Sequence, residues 1–402
     1  MLRISRMMGS LLHPASDRPA GPPAGPVVIW NLIRRCNLCC EHCYSISADR
    51  DFPGELSTAE AMTVLDDLRA FRVPALILSG GEPLLRGDVF EIAARAKALG
   101  IPYVGLSTNG TVIDEAMADR IAAAEFDYVG ISIDGRRETH DRVRRLAGAY
   151  DAALQGLRLC RDRGIKVGLR FTLTQRNADD LDHVLALLEE ERIDRFYLSH
   201  LNYGGRGNVN RARDAWHDTT RRAMNRIFDL CWQGLVSGRP REFTSGNNDA
   251  DGVLLLLWAR RQVPDQVDAL RARLEAWGGN ASGVAIANID NLGNVHPDTY
   301  WWDHTLGNVK HARFSDLWRD TQDPLMVGLR TQPRPVKGRC GECTWRGICG
   351  GNTRVRAMQV TGDAWAEDPG CYLTDDEIGV ATSAPRVITT AYRRSAEEAP
   401  HA

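Results

Sequence analysis

The sequence predicts an α/β protein in which an incomplete (β/α)6 barrel of the TIM type is followed by a small cysteine-rich module. The first observation is a repeat. From Val27 to about His200, a short apolar stretch, a loop of small or polar residues and an amphipathic helix recur at intervals of a few tens of residues. Six such units in succession require parallel strands with right-handed crossovers, which favours a barrel over an open doubly wound sheet. The second observation is a change of character after Gly278-Gly279, where short strand patterns and a stretch rich in Gly and Cys begin.

The six predicted barrel strands are short and mostly apolar. They span Val27–Ile33, 75–79, 103–107, 126–133, 166–172 and 196–199. The first helix of the repeat shows the expected start and stop signals. Ser57 and Glu60 have the spacing of a capping box, and Val73-Pro74 ends the helix.

The chain divides into five predicted segments. They are an N-terminal segment with a Pro/Gly-rich linker at 1–26, the partial barrel at 27–210, a helical connector at 211–280, the cysteine-rich module at 281–380 and a tail at 381–402. In the connector, apolar stripes around Cys231 and from Val267 to Trp277 predict two helices, and 245–249 predicts a helix start with Asn and Asp as caps. Strands at 284–289 and around Val295 are expected to open the module.

Composition excludes several classes of protein. Of 402 residues, 43% are hydrophobic and 25% are charged, as in ordinary globular proteins, and the formal net charge of −2 gives no general basic field for nucleic acid or an anionic membrane. The first 26 residues lack the apolar core of a secretory signal, and no apolar run is long enough to span a membrane, so a cytoplasmic location is expected. In a reducing compartment the ten cysteines are metal ligands or core residues rather than disulfides, and helical spacing places Cys160 and Cys231 in the core.

A cysteine loop follows the first strand. Cys36, Cys40 and Cys43 are close enough in sequence to hold three irons of a [4Fe–4S] cube and to leave the fourth iron open for a substrate or cofactor. Cys39 leaves an alternative open, because together with these three residues it could complete a closed zinc or iron–sulfur site. The spacing favours the open cluster, with Cys39 as a packing residue.

Polar residues and glycines follow the next three strands. The strand ends carry Ser79-Gly80-Gly81-Glu82-Pro83, Ser107-Thr108-Asn109-Gly110 and Ser132-Ile133-Asp134-Gly135. Each motif alone could be a turn, but the carboxyl ends of parallel strands meet at the same end of a barrel. Three such motifs behind the cysteine loop therefore predict a ligand site.

This order of motifs resembles the radical S-adenosylmethionine (SAM) superfamily, in which the open iron chelates SAM. The resemblance implies that Gly80, Gly81 and Glu82 receive the SAM amino group, that Ser107, Thr108, Asn109 and Ser132 lie near its ribose, and that Arg144 pairs with its carboxylate. Arg170 is an alternative for this last role, because either guanidinium can hold a carboxylate bidentately. His42 stands where the family usually has an aromatic residue near the adenine.

Four further cysteines lie in the C-terminal module. Cys340, Cys343, Cys349 and Cys371 suffice for a tetrahedral zinc or for a [4Fe–4S] cluster without an open iron, and the spacing does not choose between them. The stretch resembles the shortened, or twitch, form of the SPASM domain of radical SAM enzymes. This resemblance implies one auxiliary [4Fe–4S] cluster, and two clusters in all.

The resemblance extends to one branch of the superfamily. The aromatic segment 296–304, the segment 2–12, the Trp-Asn-Leu-Ile-Arg-Arg lead-in to Cys36 and the C-terminal cysteine spacing are similar to radical SAM proteins of haem d1 biosynthesis. This implies an enzyme that uses a 5′-deoxyadenosyl radical to remove or convert propionate side chains of an iron tetrapyrrole, 12,18-didecarboxysirohaem. An external electron donor of the flavodoxin or ferredoxin type is implied as well.

Alternatives remain open at this point. A sister radical SAM decarboxylase of the haem pathway, a SPASM-type peptide maturase and an iron–sulfur electron carrier each fit part of the pattern. The segment 296–304 is either a packed strand and turn or a platform for a planar substrate with an axial His.

Overall fold

The computed structural model describes residues 1–12, 25–319 and 321–381. Most of the predicted linker and nearly all of the predicted tail therefore lie outside the described residues. The strands are β1 Leu2–Arg3, β2 Val27–Ile33, β3 Leu76–Gly80, β4 Val104–Thr108, β5 Tyr128–Ser132, β6 Val167–Leu173, β7 Arg195–His200, β8 Glu242–Gly246, β9 Ile286–Ile289, β10 Asn294–His296 and β11 Gly307–Asn308.

Helices alternate with the barrel strands and dominate the C-terminal part. They are α1 Ile4–Leu12, α2 Thr58–Ala70, α3 Val89–Ala98, α4 Glu115–Ala123, α5 Arg137–Arg144, α6 Ala149–Asp162, α7 Leu181–Glu190, α8 Gly205–Val209, α9 His217–Val236, α10 Ala250–Gln262, α11 Val267–Trp277, α12 Phe314–Arg319, α13 Pro324–Arg330, α14 Gly338–Glu342, α15 Arg346–Cys349, α16 Arg354–Thr361 and α17 Asp375–Ile378. The predicted capping box of α2 is present, with Ser57 and Glu60 bonded to each other's backbone.

All six predicted barrel strands are confirmed. Strands β2 to β7 pair in parallel, each with the next along the chain. Side chains alternate between two faces, as the pleat of a strand requires. In β6, Leu169 and Phe171 are fully buried in the core between sheet and helices, whereas Arg170 and Thr172 retain partial exposure on the opposite face. We call the space that this second face lines the barrel lumen.

The sheet is longer than six strands. Strand β8 pairs in parallel with β7, inside the segment that was predicted to be a helical connector. The predicted helix start at 245–249 is wrong in part, because Ser245 and Gly246 belong to this strand and α10 begins only at Ala250. At the other side, β9 pairs in parallel with β2, so that the C-terminal module continues the barrel sheet rather than standing apart from it.

At both edges of the sheet the strands pair in the antiparallel direction. Strand β1 pairs with β8 at one edge, and β10 and β11 follow β9 at the other. Cys160 and Cys231 lie in the core, as their helical spacing predicted. No helix in the described parts of the chain has the length and apolar character needed to cross a bilayer.

Candidate functional site

The cysteine loop leaves the end of β2 and turns back under the carboxyl ends of the neighbouring strands. Cys36 and Cys40 are buried around Leu38, and Cys43 packs against them. Cys39 does not belong to this group and is partly exposed. This grouping favours Cys36, Cys40 and Cys43 as the ligand set. Among the described residues, no group of three or more His, Cys, Asp or Glu side chains is already arranged to hold a metal ion. Binding of a cluster would therefore require the three thiols to turn toward it.

The three thiols differ electrostatically. Burial raises the pKa of the Cys36 and Cys40 thiols. Burial acts in the same direction on Cys43, but the charge of Arg206 and hydrogen bonds from nearby serine residues prevail, and the pKa of this thiol is lowered. Because a thiolate rather than a thiol binds iron, Cys43 is the ligand that deprotonates most readily.

Gly80 and Gly81 bring the end of β3 against the start of the cysteine loop. A Cβ atom at Gly80 would overlap the carbonyl oxygen of Ile33, and one at Gly81 would overlap that of Arg35. The backbone N–H of Gly81 donates to Ile33 O at 2.6 Å, and that of Glu82 donates to Arg35 O at 2.9 Å. The two glycines are therefore required for the close approach of two chain segments, which fixes the position from which the loop departs.

Glu82 ties the loop to the end of β4. Its side chain is completely buried and accepts hydrogen bonds from Thr108 Oγ1 and from the backbone N–H of Asn109, both at 2.8 Å. Asn109 Nδ2 in turn donates to Asn37 Oδ1 at 2.9 Å, beside Cys36. Burial raises the pKa of Glu82 to about 7, although these hydrogen bonds act to lower it. The structure thus joins three predicted ligand residues into a network that supports the Cys36 side of the loop.

The predicted ribose contacts fall on different faces. Ser107 and Ser132 lie on the lumen side of β4 and β5 and are partly exposed. Ser79 of β3 is buried, and its hydroxyl is 3.5 Å from that of Tyr44. Thr108 points the other way and is buried against Glu82. Ser107 and Ser132 are therefore accessible to a ligand in the lumen, and Thr108 supports the site from behind.

Arg144 and His42 converge on one carboxylate. The guanidinium of Arg144 lies 2.6 Å from Asp134 and 3.6 Å from Cys40 Sγ, and all of these side chains are buried. His42 Nε2 lies 3.6 Å from Asp134, and burial lowers the pKa of this imidazole to about 4. His42 is accordingly neutral at physiological pH, and Arg144 is held beside the loop by a buried ion pair.

Gly205 and Arg206 hold the cysteine loop from one side, and we call this pair the clamp. The sequence did not predict it. The residues after β7 fold over the loop, and Arg206 donates from Nε to Cys40 O at 2.7 Å and from Nη1 to Ser47 O at 2.9 Å. A Cβ atom at Gly205, where φ is +51°, would overlap Tyr44 O. Arg206 lies in a Gly-rich stretch, and no sequence spacing specifies its partners.

The four C-terminal cysteines surround one cavity. Cys340, Cys343, Cys349 and Cys371 line a small cavity of about 20 Å³. Arg339 Nη1 donates to Cys371 Sγ at 3.0 Å, which places a positive charge at the rim. The chain thus brings together residues separated by up to 31 positions, and sulfur ligands with a charged donor are typical of a zinc or iron–sulfur site.

Part of the aromatic segment 296–304 is buried in the core, and another part contacts the cysteine loop. His296 is buried and stacks on Trp302 at 6.1 Å. Its Nδ1 donates to His304 O at 2.7 Å and its Nε2 lies 3.4 Å from Asp290, so that both ring nitrogens have protein partners. Tyr300 packs edge-on against Tyr44 at 5.5 Å. Since Tyr44 directly follows Cys43, the C-terminal module contacts the cysteine loop through these rings.

Comparison with known proteins identifies the family. Residues 30–188 match the model of the Radical SAM superfamily. Pre-heme d1 synthase of Dinoroseobacter shibae is 56% identical over 389 residues, which make up 96% of each chain. The chain belongs to the radical SAM superfamily. It is an enzyme. A second relative is Fe-coproporphyrin III synthase of Methanosarcina barkeri, which is 43% identical over 88% of this chain and 89% of that protein.

A solved structure shares the fold. Native anSMEcpe with bound AdoMet and the Cp18Cys peptide aligns with a TM-score of 0.64 at 19% identity, covering 86% of this chain and 93% of that one. At this identity the likeness shows the fold alone. The predicted fold class, a radical SAM partial barrel with a C-terminal extension, is thus confirmed.

Radical SAM enzymes use SAM and a [4Fe–4S] cluster, and the residues of this site fit both. Three thiols lie on one buried loop beside the lumen. Asn31 Nδ2, Arg144 Nε and Arg206 Nη2 are buried around this loop without a hydrogen-bond partner among the described residues. Because an unpaired buried donor is costly, a bound anionic or polar group beside the loop would satisfy them.

Proposed function

We propose that this radical SAM enzyme acts in haem d1 biosynthesis and removes or converts propionate side chains of an iron tetrapyrrole, 12,18-didecarboxysirohaem. The observation that supports this most strongly is the 56% identity to Pre-heme d1 synthase over 96% of both chains, since it includes the C-terminal cysteine module as well as the barrel. A match confined to the barrel would support only the superfamily chemistry.

The residues of the cysteine loop have defined tasks in this proposal. Cys36, Cys40 and Cys43 hold the first cluster, and Ser107 and Ser132 face the SAM-binding side of the lumen. When bound, the cluster and SAM supply a 5′-deoxyadenosyl radical, which removes a hydrogen atom from a carbon that acid–base chemistry cannot activate. The protein positions the propionate carbon and excludes water, because effective positioning lowers the barrier and solvent would quench a radical. The clamp formed by Arg206 and Gly205 keeps the loop in place for this purpose.

We propose further that Cys340, Cys343, Cys349 and Cys371 hold one auxiliary [4Fe–4S] cluster. Four thiols cap every iron, so this cluster is not expected to cleave SAM. Its proposed task is to accept the electron left on the substrate or to contact the substrate's edge. A flavodoxin- or ferredoxin-like donor, a cytoplasmic location and the domain limits 27–210, 211–280 and 281–380 stay predictions.

A second candidate is the sister reaction of the haem pathway. The 43% identity to Fe-coproporphyrin III synthase favours it over peptide maturation, because Mycofactocin maturase MftC of Mycobacterium tuberculosis is only 31% identical. Both candidates require an iron tetrapyrrole, and they differ in which side chains change.

Anaerobic turnover distinguishes these candidates. The reconstituted protein, SAM and a reductant are incubated with 12,18-didecarboxysirohaem, and the products are analysed by mass spectrometry. We expect loss or oxidation of propionate side chains, with 5′-deoxyadenosine formed in proportion. Removal of acetate side chains with intact propionates would favour the sister reaction, and 5′-deoxyadenosine without any altered tetrapyrrole would contradict both.

A further inference from the structure

The barrel lumen contains an arginine without an acidic partner. Arg170 lies on β6 between Ser132 of β5 and Tyr197 of β7, with which it is paired across the sheet. Its guanidinium lies over the Tyr197 ring at 5.0 Å. Within the described ranges it has neither a hydrogen bond nor an ion pair, although it is only partly exposed. A cation in such a place is stabilised by an aromatic face but still lacks an anion.

Other arginines near the lumen have protein partners. Arg195 lies on the same face of β7 and is 3.1 Å from Glu242. Arg144 is 2.6 Å from Asp134. Arg206 donates to two carbonyl oxygens of the cysteine loop. In the described part of the chain, Arg170 differs from these three in that its whole hydrogen-bonding fork is left for a ligand in the lumen.

Glycines on the neighbouring strands make room for this side chain. A Cβ atom at Gly130 of β5 would lie 2.8 Å from Arg170 Cδ. One at Gly168 would lie 2.5 Å from the Tyr128 hydroxyl, and one at Gly246 would overlap the Tyr197 hydroxyl. Barrel interiors are usually filled by branched apolar side chains. Here the lumen instead holds an arginine and two tyrosines, and a larger residue at any of these three positions would displace one of them.

Contacts along the lumen lead from Arg170 to the cysteine loop. Ser199, two residues beyond Tyr197 on the same face of β7, accepts a hydrogen bond from Asn247 Nδ2 at 2.7 Å. Tyr44 follows Cys43 and packs against Tyr300. Tyr300 in turn is bonded to Asn247 at 2.6 Å. A ligand that reaches Arg170 thus lies beside both the first cluster site and the aromatic segment of the C-terminal module.

We propose that Arg170 binds a side-chain carboxylate of the tetrapyrrole substrate, and this inference rests on the proposed function. The planar guanidinium presents parallel N–H donors, which match the two oxygens of a carboxylate. Binding the carboxylate of a propionate there fixes the attached carbon chain at the lumen end near Tyr44. Arg170 is a specificity-determining residue in this role, since it favours tetrapyrroles that still carry a free carboxylate. The carboxylate of SAM has the same chemistry, so the test measures both ligands.

The test compares two probes, 12,18-didecarboxysirohaem and its methyl ester, with the anaerobically reconstituted full-length protein. Binding is followed by the change in the absorbance of the tetrapyrrole, and SAM binding is measured separately by equilibrium dialysis. For Arg170→Gln we expect the Kd of the free acid to rise at least about tenfold, the loss of a charge-assisted pair, while the Kd of the ester and that of SAM stay unchanged. The ratio of the Kd of the ester to the Kd of the free acid, which we call the probe ratio, should therefore fall.

Two further variants control for unfolding and for loss of charge in general. Gly130→Ala displaces the Arg170 side chain without removing its charge, and we expect a smaller loss of preference for the free acid. Arg195→Gln removes a lumen arginine that already has a partner, and we expect no change in the probe ratio. Melting temperatures of the variants identify any that fail to fold, and a misfolded Arg170→Gln leaves Gly130→Ala to decide.

The outcomes are distinct. A fall in SAM affinity with an intact probe ratio would overturn the assignment to the substrate and leave SAM as the source of the carboxylate. Unchanged binding of all ligands in a folded Arg170→Gln protein that still binds the tetrapyrrole would overturn the inference but not the proposed function. A parental protein that binds neither probe would overturn the proposed function, and the inference with it.

Discussion

At the scale of single residues, the loop separates two adjacent cysteines. Cys40 is buried beside Cys36 and Cys43, whereas Cys39 is outside this group. We expect Cys40→Ala to abolish reductive SAM cleavage, because it removes an iron ligand, and Cys39→Ala to retain most of it. The measurement is 5′-deoxyadenosine formed per chain under anaerobic reduction. The opposite ranking would move the cluster ligands to a different set of cysteines.

Arg206 is expected to keep Cys43 reactive. Its charge opposes the effect of burial and lowers the pKa of the Cys43 thiol. Arg206→Gln should therefore shift the alkylation of Cys43 in the apoprotein to higher pH and reduce the iron bound on reconstitution. Site-resolved mass spectrometry after alkylation at several pH values measures this. Arg211→Gln, in the same segment but exposed, serves as the control, and equal shifts in both variants would contradict the role of Arg206.

The sequence indicated residues of this site but not how they are bonded to one another. Spacing indicated Cys36, Cys40 and Cys43 as one possible ligand set, because a cluster constrains ligands that are near in sequence. The contacts of Glu82 and Thr108 with SAM stay predictions, and the structure adds that these two residues are bonded to each other across two strands. Such partners are set by packing between strands, which the order of residues along the chain does not specify.

At the scale of elements, α8 can approach the cysteine loop only because residue 205 is a glycine. Gly205 has a φ of +51°, and its missing side chain leaves space for Tyr44 O. Gly205→Ala should lower the melting temperature and the iron content together, with a cost of about 1–3 kcal/mol for the strained conformation. Gly87→Ala is the matched control, because nothing lies within 4 Å of its Cβ position. Similar iron contents in the two variants would argue against the clamp.

Strand prediction succeeded where apolar residues alternate over a sufficient length. Strands β6 and β7 have 7 and 6 residues with regular alternation, and both were predicted. Strand β8 was not, because its 5 residues include Phe243 as the single large apolar side chain. Its place in the sheet comes from pairing with β7 and β1, and such tertiary contacts override weak local preference.

At the scale of the whole molecule, two cysteine sites should give two clusters. We expect about eight irons per chain after anaerobic reconstitution, four for each cube. Iron near four with stoichiometric zinc would contradict the auxiliary cluster. The double variant Cys343→Ala/Cys349→Ala should hold about four irons and still form 5′-deoxyadenosine, because Cys36, Cys40 and Cys43 are intact, while conversion of the tetrapyrrole collapses.

Folding must be checked for this double variant. Metal binding in an irregular module also supplies folding free energy, so circular dichroism and the melting temperature accompany the iron assay. A folded double variant that converts the tetrapyrrole at the parental rate would show that the auxiliary site is structural. Strand β9 of the C-terminal module pairs with β2 of the barrel. Unfolding of the module would therefore also disturb the barrel sheet, and circular dichroism would detect this change.

The pairing of Leu2–Arg3 with β8 bears on self-association. An open barrel has two edges, and an unpaired edge is a template on which a second molecule can add its own strand. These two residues cover the backbone of Thr244 and Ser245 at that edge. A recombinant form shortened by its first five residues should therefore expose β8 and form dimers or larger species, detectable by light scattering.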